Sequence, residues 1–120
     1  MRAAVLGLLV MFALASAPVS SEDVVRVKVS PSITTPPATV VVRVTVAHDA
    51  DNRELEVVVD GLDYYRSSSE TLEGADAPFT HLMTFTGLPA GTYRVDARVH
   101  RVRGMATSYA PLMVVGAVSE

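Results

Sequence analysis

Residues 87–99 constrain the fold more than any other part of the chain. They read Gly-Leu-Pro-Ala-Gly-Thr-Tyr-Arg-Val-Asp-Ala-Arg-Val, so a turn rich in Gly and Pro leads into residues that alternate between apolar and charged. Successive side chains of an extended strand point to opposite faces. The alternation therefore predicts a strand with Tyr93 and Val95 on a buried face, and Arg94 and Asp96 on a face that meets water.

Other stretches repeat the same period of two between turn-forming residues. Residues 39–48 are rich in β-branched side chains, and residues 53–60 alternate throughout except at Val58. Residues 31–37 are a Pro-rich connection at or outside a sheet edge, and residues 67–76 are predicted to be a loop or an irregular edge. The remaining predicted strands are residues 24–30, 62–66, 79–86, 93–101 and 108–115. About seven short strands of this kind are typical of an antiparallel β-sandwich.

The bulkier side of each alternation identifies the core. A shift of one residue would bury Arg43 and Glu56 without partners, which is costly, so the register is strongly specified. In residues 79–86 the bulkier side, which we place inward, is Phe79, His81, Met83 and Phe85. The predicted core is Val40, Val42, Val44, Val46, Leu55, Val57, Val59, Phe85, Leu88, Tyr93, Val95 and Val99.

Tyr93 follows a turn and opens a late strand. This placement resembles the tyrosine corner of immunoglobulin-like and fibronectin type III sandwiches. The resemblance implies a structural role for Tyr93, Leu88 and Gly91, with the Tyr93 hydroxyl bonded to the backbone near Pro89 or Ala90. It implies a single immunoglobulin-like, fibronectin type III-like domain over residues 22–118, and it implies no activity.

The first 21 residues predict a secretory signal peptide. A positive start is followed by an apolar run over residues 3–15 and by small residues up to Glu22, where we expect cleavage. The domain is then exported, to the periplasm or the cell exterior. The chain has no cysteine, so we expect neither a disulfide nor a membrane anchor after cleavage.

Charge and missing motifs exclude several function classes. The formal net charge is −3, whereas nucleic-acid-binding domains present a basic face, so we expect no nucleic-acid partner. The sequence has no Gly-x-Ser-x-Gly, no cysteine nucleophile, no His-Glu-x-x-His and no phosphate-binding loop. We therefore predict that the chain is not an enzyme and has no cofactor.

Two patterns bear on metal binding, although we predict that the chain has no metal site. Asp49, Asp51 and Asn52 gather oxygen atoms that suit calcium, although turn chemistry also accounts for the group. Residues 91–99 are similar to a strand of copper-resistance-type periplasmic sandwiches. That resemblance implies histidine ligands at the mature N-terminus and in the turn after the strand, where this chain has no histidine.

Tyr64, Tyr65 and Arg66 are the candidate binding residues. Adjacent residues of a strand face opposite sides, so one tyrosine should be exposed. Exposed tyrosine and arginine side chains often dominate binding energy.

The charged faces of residues 53–60 and 93–101 are interpreted as a solvated ladder of ion pairs. The predicted function is therefore a non-catalytic exported interaction module that binds a protein or else a glycan. The alternative is a periplasmic module that binds carbohydrate, or a metal as copper-resistance proteins do.

Overall fold

The structure, a computed structural model, describes residues 23–116. The predicted signal peptide, its cleavage site and the end of the predicted domain at residue 118 lie outside the described residues. None of the described residues belongs to a helix long and apolar enough for a membrane span. The strands are β1 (Val25–Ser30), β2 (Ile33–Thr34), β3 (Ala38–Val46), β4 (Asn52–Asp60), β5 (Tyr65–Thr71), β6 (Thr80–Leu88), β7 (Gly91–Arg101) and β8 (Met105–Val114).

The strands form two sheets, which confirms the predicted all-β sandwich. β1, β3 and β6 make a three-stranded antiparallel sheet. The larger sheet has the order β2-β8-β7-β4-β5, in which only the short β2–β8 pairing is parallel. The Pro-rich connection thus leaves the smaller sheet and adds two residues to the edge of the larger one.

The core lies between the inner faces of the two sheets. Every residue of the predicted core is buried, and alternation holds along β3, where Val42 and Val44 are buried and Arg43 between them is exposed. Buried apolar area stabilises the fold by about 25 cal/mol per Å². The period of two in the sequence therefore set the register of both sheets.

The prediction that Phe79 points inward is wrong, because 54% of its surface is exposed. β6 begins only at Thr80, so Phe79 precedes the strand and packs edge-on against the His48 ring, with centroids 6.0 Å apart. The other residues placed inward behave differently: His81 and Phe85 are buried and Met83 is half-buried.

Of the two alternatives predicted for residues 67–76, a loop or an irregular edge, the first half of the segment is an edge. Tyr65–Thr71 forms β5, an edge strand that pairs antiparallel with β4. It carries no apolar alternation, because most of its side chains are exposed on both faces. Its backbone hydrogen bonds to β4 therefore determine its conformation, and a 3-10 turn at Gly74–Asp76 follows it.

Candidate functional site: a cleft at the tyrosine corner

Two turns meet at one end of the larger sheet. β4 and β7 are antiparallel neighbours with Asp60 opposite Arg94. The last residue of β4 and the first residues of β7 therefore lie at the same end of the sheet. The turn after β4 and the turn before β7 enclose a cleft of about 480 Å³, lined by residues 62–64 and 89–93. This is a volume in the range of small-molecule sites.

Tyr93 fixes one wall of this cleft. Its side chain is buried, and its hydroxyl donates a hydrogen bond to the carbonyl oxygen of Pro89 at 2.5 Å. Gly61 closes the opposite turn, since its N–H donates to the carbonyl oxygen of Tyr64 at 2.8 Å. A Cβ on Gly61 would lie 2.8 Å from two ring carbons of Tyr93. Only glycine lets this turn pass so close to the ring.

The electrostatics of the cleft disfavour negative charge. Burial raises the pKa of Tyr93 above its ordinary value, and the neighbouring Tyr64 and the Asp63 carboxylate raise it further. Desolvation and like charge both oppose formation of a tyrosinate. Of these three causes, the Asp63 carboxylate is the one that would also attract a positive charge.

Because the pKa of Tyr93 is raised, ionisation of Tyr93 should lower the stability of the fold at alkaline pH. A pKa that is raised in the folded state gives stability that is present below about pH 10 and is lost as the pH rises through the folded pKa. Tyr93→Phe should remove that part of the pH dependence. It should also cost about 0.5–1.5 kcal/mol at neutral pH through the lost hydrogen bond. Urea unfolding at pH 7 and pH 10.5 measures both effects, and parallel pH dependence in the two proteins would contradict the assignment.

Tyr64 forms the second aromatic wall. Its ring meets the Tyr93 ring edge-on, with centroids 5.7 Å apart and planes at 86°. Its hydroxyl is buried and has no hydrogen-bond partner among the described residues. The guanidinium carbon of Arg66 lies 5.4 Å from the centroid of the Tyr64 ring. A cation thus already occupies part of this aromatic surface.

The predicted binding residues do not act as one group. Tyr64 precedes β5 and lines the cleft, whereas Tyr65 pairs with Asp60, on the outward face of β4, and is 63% exposed. Arg66 lies opposite the inward-facing Val59 in the β4–β5 register. Its side chain contacts the Tyr64 ring. The structure therefore brings Tyr64 and Arg66 together and separates Tyr65 from both.

The sequence reasoning missed Leu62, Asp63 and residues 89–92 as parts of the cleft. The sequence does contain a signal for these residues. The predicted ladder of ion pairs between residues 53–60 and 93–101 makes the two strands neighbours. Antiparallel neighbours bring the end of one strand to the start of the other. The two turns therefore had to lie at the same end of the sheet.

Two of the three predicted calcium candidates, Asp49 and Asn52, are hydrogen-bonded to Arg101. The Asp49 carboxylate accepts hydrogen bonds from Arg101 at 2.7 Å and from the Asp51 N–H at 2.8 Å. The buried Asn52 amide donates to Ala47 at 2.9 Å, and its oxygen accepts from Arg101 at 3.1 Å. These contacts give Asp49 and Asn52 a structural role in the turn after β3.

The three histidines lie in separate parts of the sandwich. His81 is buried, with its Nδ1 3.2 Å from the Glu70 carboxylate of β5, and His100 Nε2 lies 3.2 Å from the Glu56 carboxylate of β4. His48 packs on Phe79 after the end of β3. In the described part of the chain, no group of three or more His, Cys, Asp or Glu side chains is arranged to hold a metal ion.

The outer face of the larger sheet pairs its own charges. Glu56 lies 3.7 Å from Arg98, and Asp96 accepts a hydrogen bond from Arg94 at 2.8 Å. The guanidinium of Arg94 also lies 4.2 Å from the Tyr109 ring centroid. Val58, the apolar exception of strand 53–60, lies opposite Asp96 and is buried within this network.

Comparisons with known proteins identify a similar fold but no family. No family model matches the chain, and no curated protein matches it. A solved structure, a superoxide reductase (neelaredoxin) from Ignicoccus hospitalis, matches with a TM-score of 0.58 at 14% identity. The match covers 76% of this chain and 80% of the other. At this identity the likeness shows the fold alone.

That match contradicts the predicted non-catalytic interaction module. The prediction took a β-sandwich without known catalytic motifs to be a binding domain, but the similar solved structure is that of a reductase, which is an enzyme. A fold hosts many functions, and function depends on the site that a given chain builds.

Proposed function

We propose that the chain is an exported protein that binds a small organic cation, of the alkylammonium class, in the tyrosine-corner cleft. The observation that carries this proposal is the composition of the cleft wall. Tyr64, Tyr93 and Asp63 are among the residues that line it, and no Lys or Arg of the described chain is. The predicted signal peptide supports export.

The chemistry of this wall favours a cation over a neutral ligand. The negative face of an aromatic ring attracts a cation within about 6 Å, and the contact contributes about 0.5–2 kcal/mol depending on desolvation. Arg66 already makes such a contact with Tyr64. The Asp63 carboxylate adds a full negative charge, and it contributes to the raised pKa of Tyr93.

We also infer that the sandwich is immunoglobulin-like. The hydrogen bond from Tyr93 to Pro89 has the donor and the upstream backbone acceptor expected of a tyrosine corner. The adjacency of β4 and β7 fits the same arrangement.

Superoxide reduction is not the function we propose. A superoxide reductase must pass an electron to its substrate, and such chemistry depends on a metal or an organic cofactor. The donor set for a metal does not fit, because the sequence has no cysteine and its three histidines stand apart.

Choline provides the test, with 3,3-dimethylbutan-1-ol as its uncharged isostere. Calorimetry should give a Kd of about 1 mM for choline, or about 4 kcal/mol of binding free energy, and much weaker binding of the alcohol. Asp63→Asn and Tyr64→Leu should each weaken choline binding about fivefold, through the lost charge and the lost ring. Arg66→Gln should strengthen it about twofold, because a like charge is removed beside the cleft.

Tyr65→Leu is the matched control. It makes the same change as Tyr64→Leu one residue away, but on the far side of the sheet, so choline binding should be unchanged. Equal losses in the two leucine variants would contradict the proposal, and so would equal affinity for choline and the alcohol. Circular dichroism confirms that each variant is folded.

A further inference from the structure

The outer face of the three-stranded sheet carries positive charge only. Its outward side chains include Arg26, Lys28 and Arg43, and β1, β3 and β6 contain no acidic residue. The whole chain has a net charge of −3. The acidic residues are therefore concentrated outside these strands, and this face stands out against the charge of the molecule.

Lys28 and Arg43 lie directly opposite each other on β1 and β3. Like charges in this position destabilise a sheet. Neither side chain makes an ion pair with a carboxylate within residues 23–116. Arg26 stands near the exposed Asp23 at one end of the face and is not part of the site proposed below.

A hollow of about 300 Å³ lies over this pair, lined by Lys28, Ser30, Val41 and Arg43. Lysine brings three N–H donors as a point charge, arginine brings a planar fork that binds phosphate oxygens in pairs, and serine adds a hydroxyl donor. We propose that this hollow binds the phosphate group of a phosphate monoester.

The charge and the surroundings of the pair favour this ligand. A phosphate monoester carries a charge of about −1.5 to −2 at pH 7 and three acceptor oxygens, which suits two cations and a hydroxyl better than a single carboxylate does. Leu82 lies opposite Arg43 on β6 and is 60% exposed. It offers an apolar contact to the rest of the ligand. The monoester is either a soluble phosphate or the headgroup of a phosphatidic acid.

Two binding experiments at constant ionic strength distinguish these sources. One titrates the protein with inorganic phosphate, and the other measures co-sedimentation with phosphatidylcholine vesicles with and without phosphatidic acid. Saturable binding in the first assigns a soluble ligand, and binding that requires phosphatidic acid assigns a lipid. Either result supports the proposed site. The absence of binding in both experiments would overturn it.

Charge variants locate the binding. Lys28→Gln and Arg43→Gln should each weaken it about tenfold, and the double variant should abolish it. Arg103→Gln removes the same charge from an exposed turn on the other sheet and should leave binding unchanged. A loss in Arg103→Gln as large as that in the other two would overturn the site, since net charge would then explain the binding. Both substituted side chains of the site are exposed, so the variants should fold, which circular dichroism checks.

Discussion

Leu55→Ala should lower the free energy of unfolding by about 2–5 kcal/mol. Leu55 is 0% exposed on the inner face of β4, opposite the buried Val99 of β7. Alanine would remove buried apolar surface and leave a cavity that rigid neighbouring strands cannot fill. The loss is a large part of the total for a domain of this size, which is about 5–15 kcal/mol. The chain has no disulfide to offset it.

Leu82→Ala is the control for this experiment. It makes the same chemical change at a leucine of β6 that is 60% exposed, so the expected change is within about 0.5 kcal/mol. Urea unfolding followed by circular dichroism gives both values from the midpoint and the slope. Similar losses in the two variants would mean that the two sheets are packed in a different register.

Gly61→Ala should cost about 1–3 kcal/mol, the range for overpacking a well-filled site. The new methyl group would lie 2.8 Å from Cδ2 and Cε2 of the buried Tyr93 ring. The Tyr93 hydroxyl bonded to Pro89 restrains the ring, and the hydrogen bond from the Gly61 N–H to the Tyr64 carbonyl restrains the β4–β5 turn. Thermal unfolding measures the loss.

A double-mutant cycle tests the cause of that loss. In a Tyr93→Leu background the ring is gone, so Gly61→Ala should cost less than half of what it costs in the natural chain. Strictly additive losses would show that the alanine acts through the backbone of the turn and not through contact with the ring.

The core was predictable because one simple rule governed it. Each sheet has one face toward the other sheet, so apolar residues had to recur at every second position. Val40, Val42 and Val44 on β3 and Leu55 and Val57 on β4 follow this rule and are all buried. The sequence pattern and the packing therefore agree.

The rule fails where a residue is not held between the sheets. β5 is an edge strand with both faces mostly exposed. Its serine-rich sequence therefore has no apolar alternation that would predict a strand. Phe79 fits the alternation of β6 but precedes its first residue. Val58 lies on the outer face, yet it is buried, opposite an aspartate that contacts two arginines. Tertiary contacts decide all three positions.

The cleft was only partly predictable. Tyr64 was identified from its aromatic and basic neighbours in sequence, but its contact with Tyr93 depends on how the two turns approach each other. Asp63 is an ordinary turn residue in the sequence. Its role emerges only when the structure places it in the same cleft as Tyr64 and Tyr93.

A choline titration of ¹⁵N-labelled protein followed by NMR tests the proposed cation site most directly. We expect saturable shifts in the amide signals of residues 61–64 and 90–93, which line the cleft or adjoin it, and smaller shifts or none in β1 and β3. The uncharged isostere should not reproduce these shifts. Shifts that are scattered over the surface, or that appear equally with the uncharged alcohol, would contradict a cation site at the tyrosine corner.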